Sequence, residues 1–320
     1  MISFIVIGKN EGWKLKKCLD SIFLTIEKNC YGQSEVIYVD SRSSDDTLKL
    51  VEKYDLLRVF LVTGHTNAAI SRNIGALESS FENLIFIDGD MEIQPSFLPL
   101  IIDASTGLKY NFCSGNWINY NYESFNSELL ISKKIKKEMT SNQFEITTGG
   151  LFAIKRTIWL RFGGMNTSLN RSQDWDLALR LANEGILLFR LKEVFAIHHT
   201  ISPHESVGKM WSMFQKGYRL YRIQIMRINY KNNHQWRHFL RINYTLPIFL
   251  ASMISLYFSW LLPFYFYIGL IIIRSFKSHT RNFWIVLNAI FLYVLYDALL
   301  ILGFIFFWPR NHELCYEKVQ

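Results

Sequence analysis

Asp88 and Asp90 stand one residue apart, across Gly89, where the apolar run Leu84 to Asp88 ends. Hard divalent cations take oxygen ligands, so two aspartates at a strand end can hold Mn²⁺ or Mg²⁺ and, through it, an anionic group such as a diphosphate. The same spacing occurs in ordinary acidic surface turns, so its surroundings decide what it means. Asp174 and Asp176 open an amphipathic stretch running to Glu184, where capping and the helix dipole alone would favour acidic residues. His198 and His199 close another apolar run.

The first half of the chain alternates the elements needed to position such groups. Ile2 to Ile7, Glu35 to Asp40, Leu57 to Val62 and Leu84 to Asp88 cluster β-branched and aromatic residues as strands do. Leu15 to Lys28, Asp45 to Lys53 and Ala68 to Ser80 carry apolar residues at helical spacing. This alternation predicts right-handed βαβ units on a mostly parallel, Rossmann-like sheet. Ligands bind such sheets beyond the carboxyl ends of the strands, which directs attention to Gly8-Lys9-Asn10, Asp40 and Asp88. Acidic strand ends favour a metal-assisted site over a cradle of backbone amides. The chain also contains neither G-x-G-x-x-G nor G-K-[ST].

Taken in order, the motifs resemble those of the inverting family 2 glycosyltransferases, from about Ile2 to His204. Phe4-Ile-Val-Ile-Gly-Lys-Asn-Glu11 resembles the opening strand and its P-T-x-N-E turn, with Ile7 where proline is usual. Val39-Asp-Ser-Arg-Ser-Ser-Asp-Asp-Thr47 resembles V-D-D-G-S-x-D-x-T, departing at Ser41 and Arg42. Ser71-Arg-Asn-Ile-Gly75 is similar to A-R-N-x-G, and Phe86-Ile-Asp-Gly-Asp90 to the D-x-D segment. Gly149-Gly150, Phe162-Gly-Gly-Met165 and Gln173-Asp-Trp-Asp-Leu177 follow in the family's order, with Gln173 replacing the glutamate of E-D-x-D.

The resemblance implies a GT-A fold, a nucleotide-sugar donor and a divalent cation. Gly8, Asn10 and Glu11 would line the donor site; Asp40 would bind the base, Arg72 the base or diphosphate, and Asp88 the ribose side. Asp90 would ligate the metal, joined at the metal or diphosphate by a histidine after the base helix, His199 or His198, between which the sequence does not choose. Asp174 would be the general base, since direct inversion needs a carboxylate to take the acceptor hydroxyl's proton; Asp176 is the structural alternative. The nearest rival within the fold joins sugar to a polyprenyl phosphate, which needs no base. A processive synthase is disfavoured because Q-x-x-R-W is absent and Gln235-Trp-Arg237 has the wrong order. A catalytically silent scaffold would be expected to lose a metal or base carboxylate, and neither is lost.

Composition bears on location. The formal charge is +8, yet Glu205 to Tyr244 holds eight Lys or Arg against one Glu, leaving 27 basic and 26 acidic residues elsewhere. This basic segment precedes 28 uncharged residues, Leu246 to Ile273, so an anionic membrane surface is a better partner than nucleic acid. Phe283 to Trp308 forms a second long apolar stretch, interrupted only by Asp297. Pro247 and Pro263 can split the first stretch into a hairpin, giving three membrane segments with Arg274, Lys277 and Arg281 on the cytoplasmic side; otherwise the two stretches are two simple spans and that basic loop lies on the other side.

The expected organisation is therefore a catalytic domain over residues 1–204, a basic juxtamembrane segment 205–244, a membrane region 245–308 and a tail 309–320. The N-terminus has no basic n-region, so the first domain is expected in the cytoplasm, on the inner face of a multi-pass membrane protein. The acceptor expected there is a lipid-linked, polyprenyl-type saccharide. Cys18, Cys30, Cys113 and Cys315 show no metal or disulfide spacing, and nothing in the sequence speaks to oligomeric state.

Overall fold

The computed structural model describes residues 1–29, 33–124, 129–201, 206–278 and 282–320. Cys30, His204, Glu205 and Arg281 lie outside the described residues. The chain divides into two compact units, Met1–Ser202 with Arg310–Gln320, and Pro203–Pro309.

The first unit opens as the alternation predicts: β1 (Ile2–Gly8), α1 (Trp13–Asn29), β2 (Ser34–Asp40), α2 (Thr47–Val51), β3 (Leu57–Val62), α3 (Ala68–Glu78) and β4 (Asn83–Asp88). Strand β1 is central and pairs in parallel with β2 and β4, while β2 pairs in parallel with β3. Its residues Ile2 to Ile7 are buried because helices cover both faces, which is why the run reads as continuously apolar rather than alternating. Phe4 and Val6 pack into a cluster with Leu15 and Leu19 of α1. Ile5 and Ile7 point the other way, to Ile70 and Ile74 of α3.

Beyond Gly89 the chain changes partners. Strand β5 (Met91–Ile93) leaves β1, and after α4 (Leu98–Ile101) come the small hairpin β6 (Ile102–Asp103) and β7 (Gly107–Leu108). The next strands are β8 (Phe112–Tyr122), β9 (Leu130–Ile135), β10 (Gln143–Glu145) and β11 (Leu151–Lys155). Helices α5 (Arg156–Arg161) and α6 (Gln173–Asn183) precede the long β12 (Leu188–Ile201), which pairs with β8 in parallel and with β5 and β10 antiparallel. Through β11, which lies antiparallel between β4 and β8, one mixed sheet runs across the unit. The stretch between Phe112 and Phe144 supplies β8, β9 and part of β10.

The final residues are more than a tail. Strand β13 (Tyr316–Lys318) pairs antiparallel with β3 and completes that side of the sheet.

In the second unit the basic segment forms α7 (Val207–Gln215), α8 (Tyr221–Ile228) and α9 (Asn233–Ile242). Two of its arginines work inside the unit rather than facing outward. The Arg227 guanidinium donates to the carbonyls of Gly303, Phe304 and Phe307, and Arg219 lies 3.7 Å from the centre of the Tyr296 ring. Lys209, Lys216 and Lys231 are exposed.

The first apolar stretch breaks as its prolines predict, with Pro247 and Pro263 in the opening turns of α10 (Leu246–Tyr257) and α11 (Leu262–Ser278). These helices have 12 and 17 residues, about 18 and 25 Å, short of a hydrocarbon core of roughly 30 Å. Against the two or three segments expected, length and composition among the described residues support one, or two if a bent pair counts as one span. Among the described residues one helix, α12 (Phe283–Phe306), is long and apolar enough by itself to cross a membrane, and α9 with α10 forms a pair bent by 67°. Asp297 is buried and accepts a hydrogen bond from the Tyr267 hydroxyl at 3.1 Å, a structural use of that carboxylate.

Gly75 shows how tightly α3 is laid on β1, since a Cβ there would come within 2.2 Å of Ile5 Cγ2. Gly75→Ala is expected to destabilise the protein by about 1–3 kcal/mol through overpacking, read as a lowered melting temperature. An unchanged melting temperature would mean that α3 can move off the sheet freely.

Candidate active site

A cavity of about 350 Å³ opens at the carboxyl end of the parallel strands, lined by residues that include Gly8, Lys9, Glu11, Ser41, Thr66, Asp88 and Asp90. Its volume lies in the range of small-molecule sites. Three backbone arrangements shape it. The Gly89 N–H donates to the Ile7 carbonyl at 2.8 Å, turning the chain out of β4 just where Asp90 must leave the sheet. The Asp88 N–H donates to the Gly150 carbonyl at 3.0 Å, and a Cβ at Gly150 would come within 2.2 Å of Asp88 Oδ2. The His199 N–H donates to the Asp90 carbonyl at 2.8 Å, fixing Asp90 between β5 and β12.

Asp88 pairs with Arg72 of α3 at 2.5 Å. Burial pushes the Asp88 carboxyl above its ordinary value, the Arg72 guanidinium pulls it back, and Asp90 pushes it up again. Asp90 Oδ2 lies 3.2 Å from His198 Nε2, while Asp90 Oδ1 is buried with no hydrogen-bond partner among the described residues. Burial disfavours a charge on His198, but its contacts with Asp90, aided by Asp88, outweigh that and leave it easier to protonate than a free histidine. Glu11 lies over Gly8 and Gly89, and burial together with the charges of Asp90 and Asp88 pushes it up to about 7 although Lys14 opposes the shift. The mouth of the cavity is thus a group of mutually repelling carboxylates, with a buried oxygen still lacking a partner.

That arrangement fits a divalent cation. Among the described residues no three His, Cys, Asp or Glu side chains converge as a closed metal cage. Mg²⁺-type ions commonly take one or two protein carboxylates and fill the remaining positions with substrate phosphates and water. Asp90 could supply such a carboxylate through its unpartnered Oδ1, with His198 3.2 Å from its other oxygen.

The structure separates the two histidines expected from sequence. Neighbours along a strand point to opposite faces. His198 therefore faces Asp90, with its Nδ1 2.8 Å from Asn119 Oδ1. His199 turns away and is buried, with its ring nitrogens beside the Tyr122 hydroxyl at 2.8 Å and Glu92 at 3.0 Å. The hydrogen bond from His199 holds the Glu92 carboxyl below its ordinary range. His199 thus braces β5 against β12 on the face opposite the cavity instead of joining Asp90.

Asp40 differs from its expected place too. It is wholly buried and accepts from the Ser43 N–H at 2.7 Å, the Ser43 hydroxyl at 2.6 Å and the Tyr38 hydroxyl at 2.9 Å. These contacts hold the loop after β2, where Ser41 rather than Asp40 lines the cavity. Asn10 steadies the same loop, with its N–H donating to Ser43 Oγ at 2.8 Å and its Oδ1 accepting from the Ser44 N–H at 2.7 Å. Arg42 has a φ of 64°, a left-handed conformation that explains the glycine usual at this motif position.

Asp174 is half-buried in the first turn of α6 and is not among the residues lining the cavity. Asp176 is fully buried and pairs with Arg180 at 2.9 Å, while Arg180 also donates to the Phe162 and Gly164 carbonyls at 2.7 and 2.8 Å. This loop continues to Met165, whose N–H and carbonyl are bonded by Asn73, the neighbour of Arg72. One line of contacts therefore ties the helix of Asp174 to the ion pair at Asp88.

Sequence reasoning missed Glu92, Asn119, Thr66 and Asn67. Only Asn67 carries a local signal: it stands three residues before Ile70, whose N–H its side chain caps at 2.9 Å. The others depend on strand register or loop position.

The profile of glycosyl transferase family 2 matches residues 3–165. An uncharacterized glycosyltransferase of Haemophilus influenzae is 26% identical over 191 residues, covering 58% of this chain and 63% of that protein. Glycosyltransferase AglE of Haloferax volcanii is 28% identical over 120 residues, covering 36% of this chain and 38% of AglE. The alignments thus span less than two thirds of either relative. Among solved structures, S. aureus TarS 1-349 in complex with UDP-GlcNAc superposes with a TM-score of 0.57 at 15% identity, over 94% of this chain and 92% of that one. GalNAc-T7 with UDP, GalNAc and Mn²⁺ gives a TM-score of 0.51 at 19% identity, over 62% of this chain and 44% of that one. These structural likenesses establish the GT-A-like fold.

The raised Glu11 yields a pH dependence. Between about pH 4.5 and 7 the folded chain holds a proton on Glu11 that the unfolded chain releases, so this group's contribution to stability falls as pH rises and is fully unfavourable above 7. Metal-free Glu11→Gln should melt near the wild type at pH 4.5 and clearly above it at pH 8. Equal melting at both values would mean that Glu11 is not crowded by Asp88 and Asp90.

Proposed function

Because the chain belongs to glycosyl transferase family 2, we propose that its first unit transfers a sugar from a UDP-linked donor, with inversion, to a hydroxyl of a lipid-linked, polyprenyl-type saccharide. The observation that carries this reading is the unpartnered Asp90 oxygen beside His198 at the mouth of the cavity, in a group of carboxylates that calls for positive charge. The UDP complexes of TarS and GalNAc-T7 support the donor class. The exposed lysines of the second unit and the apolar α12 support a site of work at the cytoplasmic membrane, with the first unit on the cytoplasmic side and the product entering surface polysaccharide.

In this reading Gly8, Lys9 and Ser41 line the nucleotide pocket, while Arg72 holds Asp88 in the orientation that faces the donor. Asp90 and His198 would hold a divalent cation, Mn²⁺ or Mg²⁺, whose chemistry when bound is to neutralise the departing diphosphate. Asp174 takes the proton of the acceptor hydroxyl as its oxygen bonds to the anomeric carbon. On the opposite face the bond from that carbon to the diphosphate oxygen breaks, and the electron pair leaves with the nucleotide. His199, Glu92 and Tyr122 keep Asp90 and His198 in register.

Asp90→Asn is expected to abolish transfer and to remove the metal dependence of donor binding, measured by calorimetry with and without Mn²⁺. Full wild-type transfer in EDTA would exclude the metal role.

Asp174→Asn keeps the shape but cannot accept the proton. Donor affinity should survive while transfer to a polyprenyl-linked saccharide falls by roughly 10²- to 10⁴-fold. Robust transfer by both wild type and Asp174→Asn to bare polyprenyl phosphate, which is already ionised, would instead make the lipid phosphate the acceptor.

A further inference from the structure

Strand β9 is the outer neighbour of β8, and Ile131 to Glu138 are all exposed along it and just beyond. Its register aligns Lys134 with Asn119 of β8, and Asn119 in turn aligns with His198 of β12. The Asn119 side chain lies 2.8 Å from His198 Nδ1, so Lys134, Asn119 and His198 form one row across three strands. Two strand spacings, about 10 Å, separate the backbone of Lys134 from that of His198. The Lys136 N–H donates to the Trp117 carbonyl at 2.8 Å, and its ammonium group lies 5.5 Å from the centre of the Trp117 ring. Residues two apart share a strand face. Lys134 and Lys136 therefore stand on the same side of the sheet as Asn119, Trp117 and His198.

The neighbouring lysines are placed differently. Lys137 pairs with Glu145 at 2.5 Å, and Lys133 lies on the opposite face over Tyr120. Glu145 is also held by Arg190, while Glu123 and Glu138 are exposed. Lys134 has no hydrogen bond or ion pair among the described residues. The arrangement is two cations on a flat, polar and aromatic surface that leads directly to the metal-proximal histidine.

We infer that the sugar acceptor carries a phosphate group and that Lys134 and Lys136 receive it. This rests on the sugar-transfer reading above. Lysines on an edge strand also deter pairing with other chains. That role requires only exposed charge, whereas phosphate recognition requires affinity for a small anion at these two positions. The phosphate could belong to the diphosphate of a lipid carrier or to a polyol-phosphate polymer. Both offer anionic, non-bridging phosphate oxygens to an ammonium group.

The test measures binding to the full chain in detergent by calorimetry at low and high salt. The probes are a short-chain prenyl-diphosphate-linked N-acetylglucosamine, a glycerol-phosphate oligomer and an uncharged alkyl glycoside of N-acetylglucosamine. At least one phosphate probe should bind roughly tenfold more tightly than the neutral glycoside and weaken as salt rises. Lys134→Gln/Lys136→Gln should lose that advantage, Lys134→Arg/Lys136→Arg should keep it, and UDP-sugar affinity should be unchanged in both. The phosphate probe that responds identifies the source. Equal affinity for the neutral glycoside, unchanged binding by the double glutamine variant, or binding to phosphatidylglycerol vesicles but to neither phosphate probe would overturn the inference. If wild type binds no UDP-sugar, the underlying sugar-transfer reading falls; if UDP-sugars bind and neither phosphate probe does, only this inference falls.

Discussion

Repulsion among carboxylates is the constraint around which the first unit is built. Glu11, Asp88 and Asp90 come from two segments of chain and are held close together where water is partly excluded, which raises the free energy of the folded chain wherever positive charge does not offset it. Such a cluster persists only when backbone contacts hold it in place. The Gly89 bond to Ile7, the Gly150 bond to Asp88 and the His199 bond to Asp90 do this work, each from a different strand or loop. Arg72 offsets part of the charge from one side, and the rest remains available to a cationic ligand.

Support for the cluster comes from residues that never reach the cavity. Asp176 and Arg180 fasten α6 to the loop at Phe162–Gly164, and Asn73 fastens the end of that loop to α3. The Glu92–His199–Tyr122 chain does the same for β5 on the far face, with Trp13 edge-on to the His199 ring at 5.5 Å. A substitution in either chain of contacts would displace Asp174 or Asp90 by small distances, which matters for the proposed transfer because it depends on alignment.

The parallel half of the fold could be read from sequence because each strand is buried on both faces and each helix carries its apolar stripe at the right period. Ile2–Gly8 and Leu57–Val62 needed no long-range information. The β8–β9 region could not be read this way. Its strands mix polar, aromatic and basic residues, since the second half of β8 is only partly buried and β9 is exposed, so period-two patterning is lost. The choice between His198 and His199 was equally hidden, because adjacent residues differ only in the face they occupy. That parity depends on the register with β5 and β8. Asp40 illustrates a further limit: a carboxylate at the end of a strand looks the same in sequence whether it faces a ligand or, as here, binds the following loop.

Pairing of β13 with β3 also has a consequence in time. Tyr316 meets Val62 across about 250 residues, so during synthesis at roughly 5–20 residues per second the partner of β3 arrives tens of seconds after β3 itself. Throughout that interval the amide and carbonyl groups along the outer side of β3 can pair with any extended segment nearby, including a second nascent chain. The first unit can collapse early, but it acquires its full sheet only after the apolar helices have left the ribosome. A chaperone or the membrane insertion machinery that shields this edge would therefore influence yield more strongly than the stability of the finished protein would suggest.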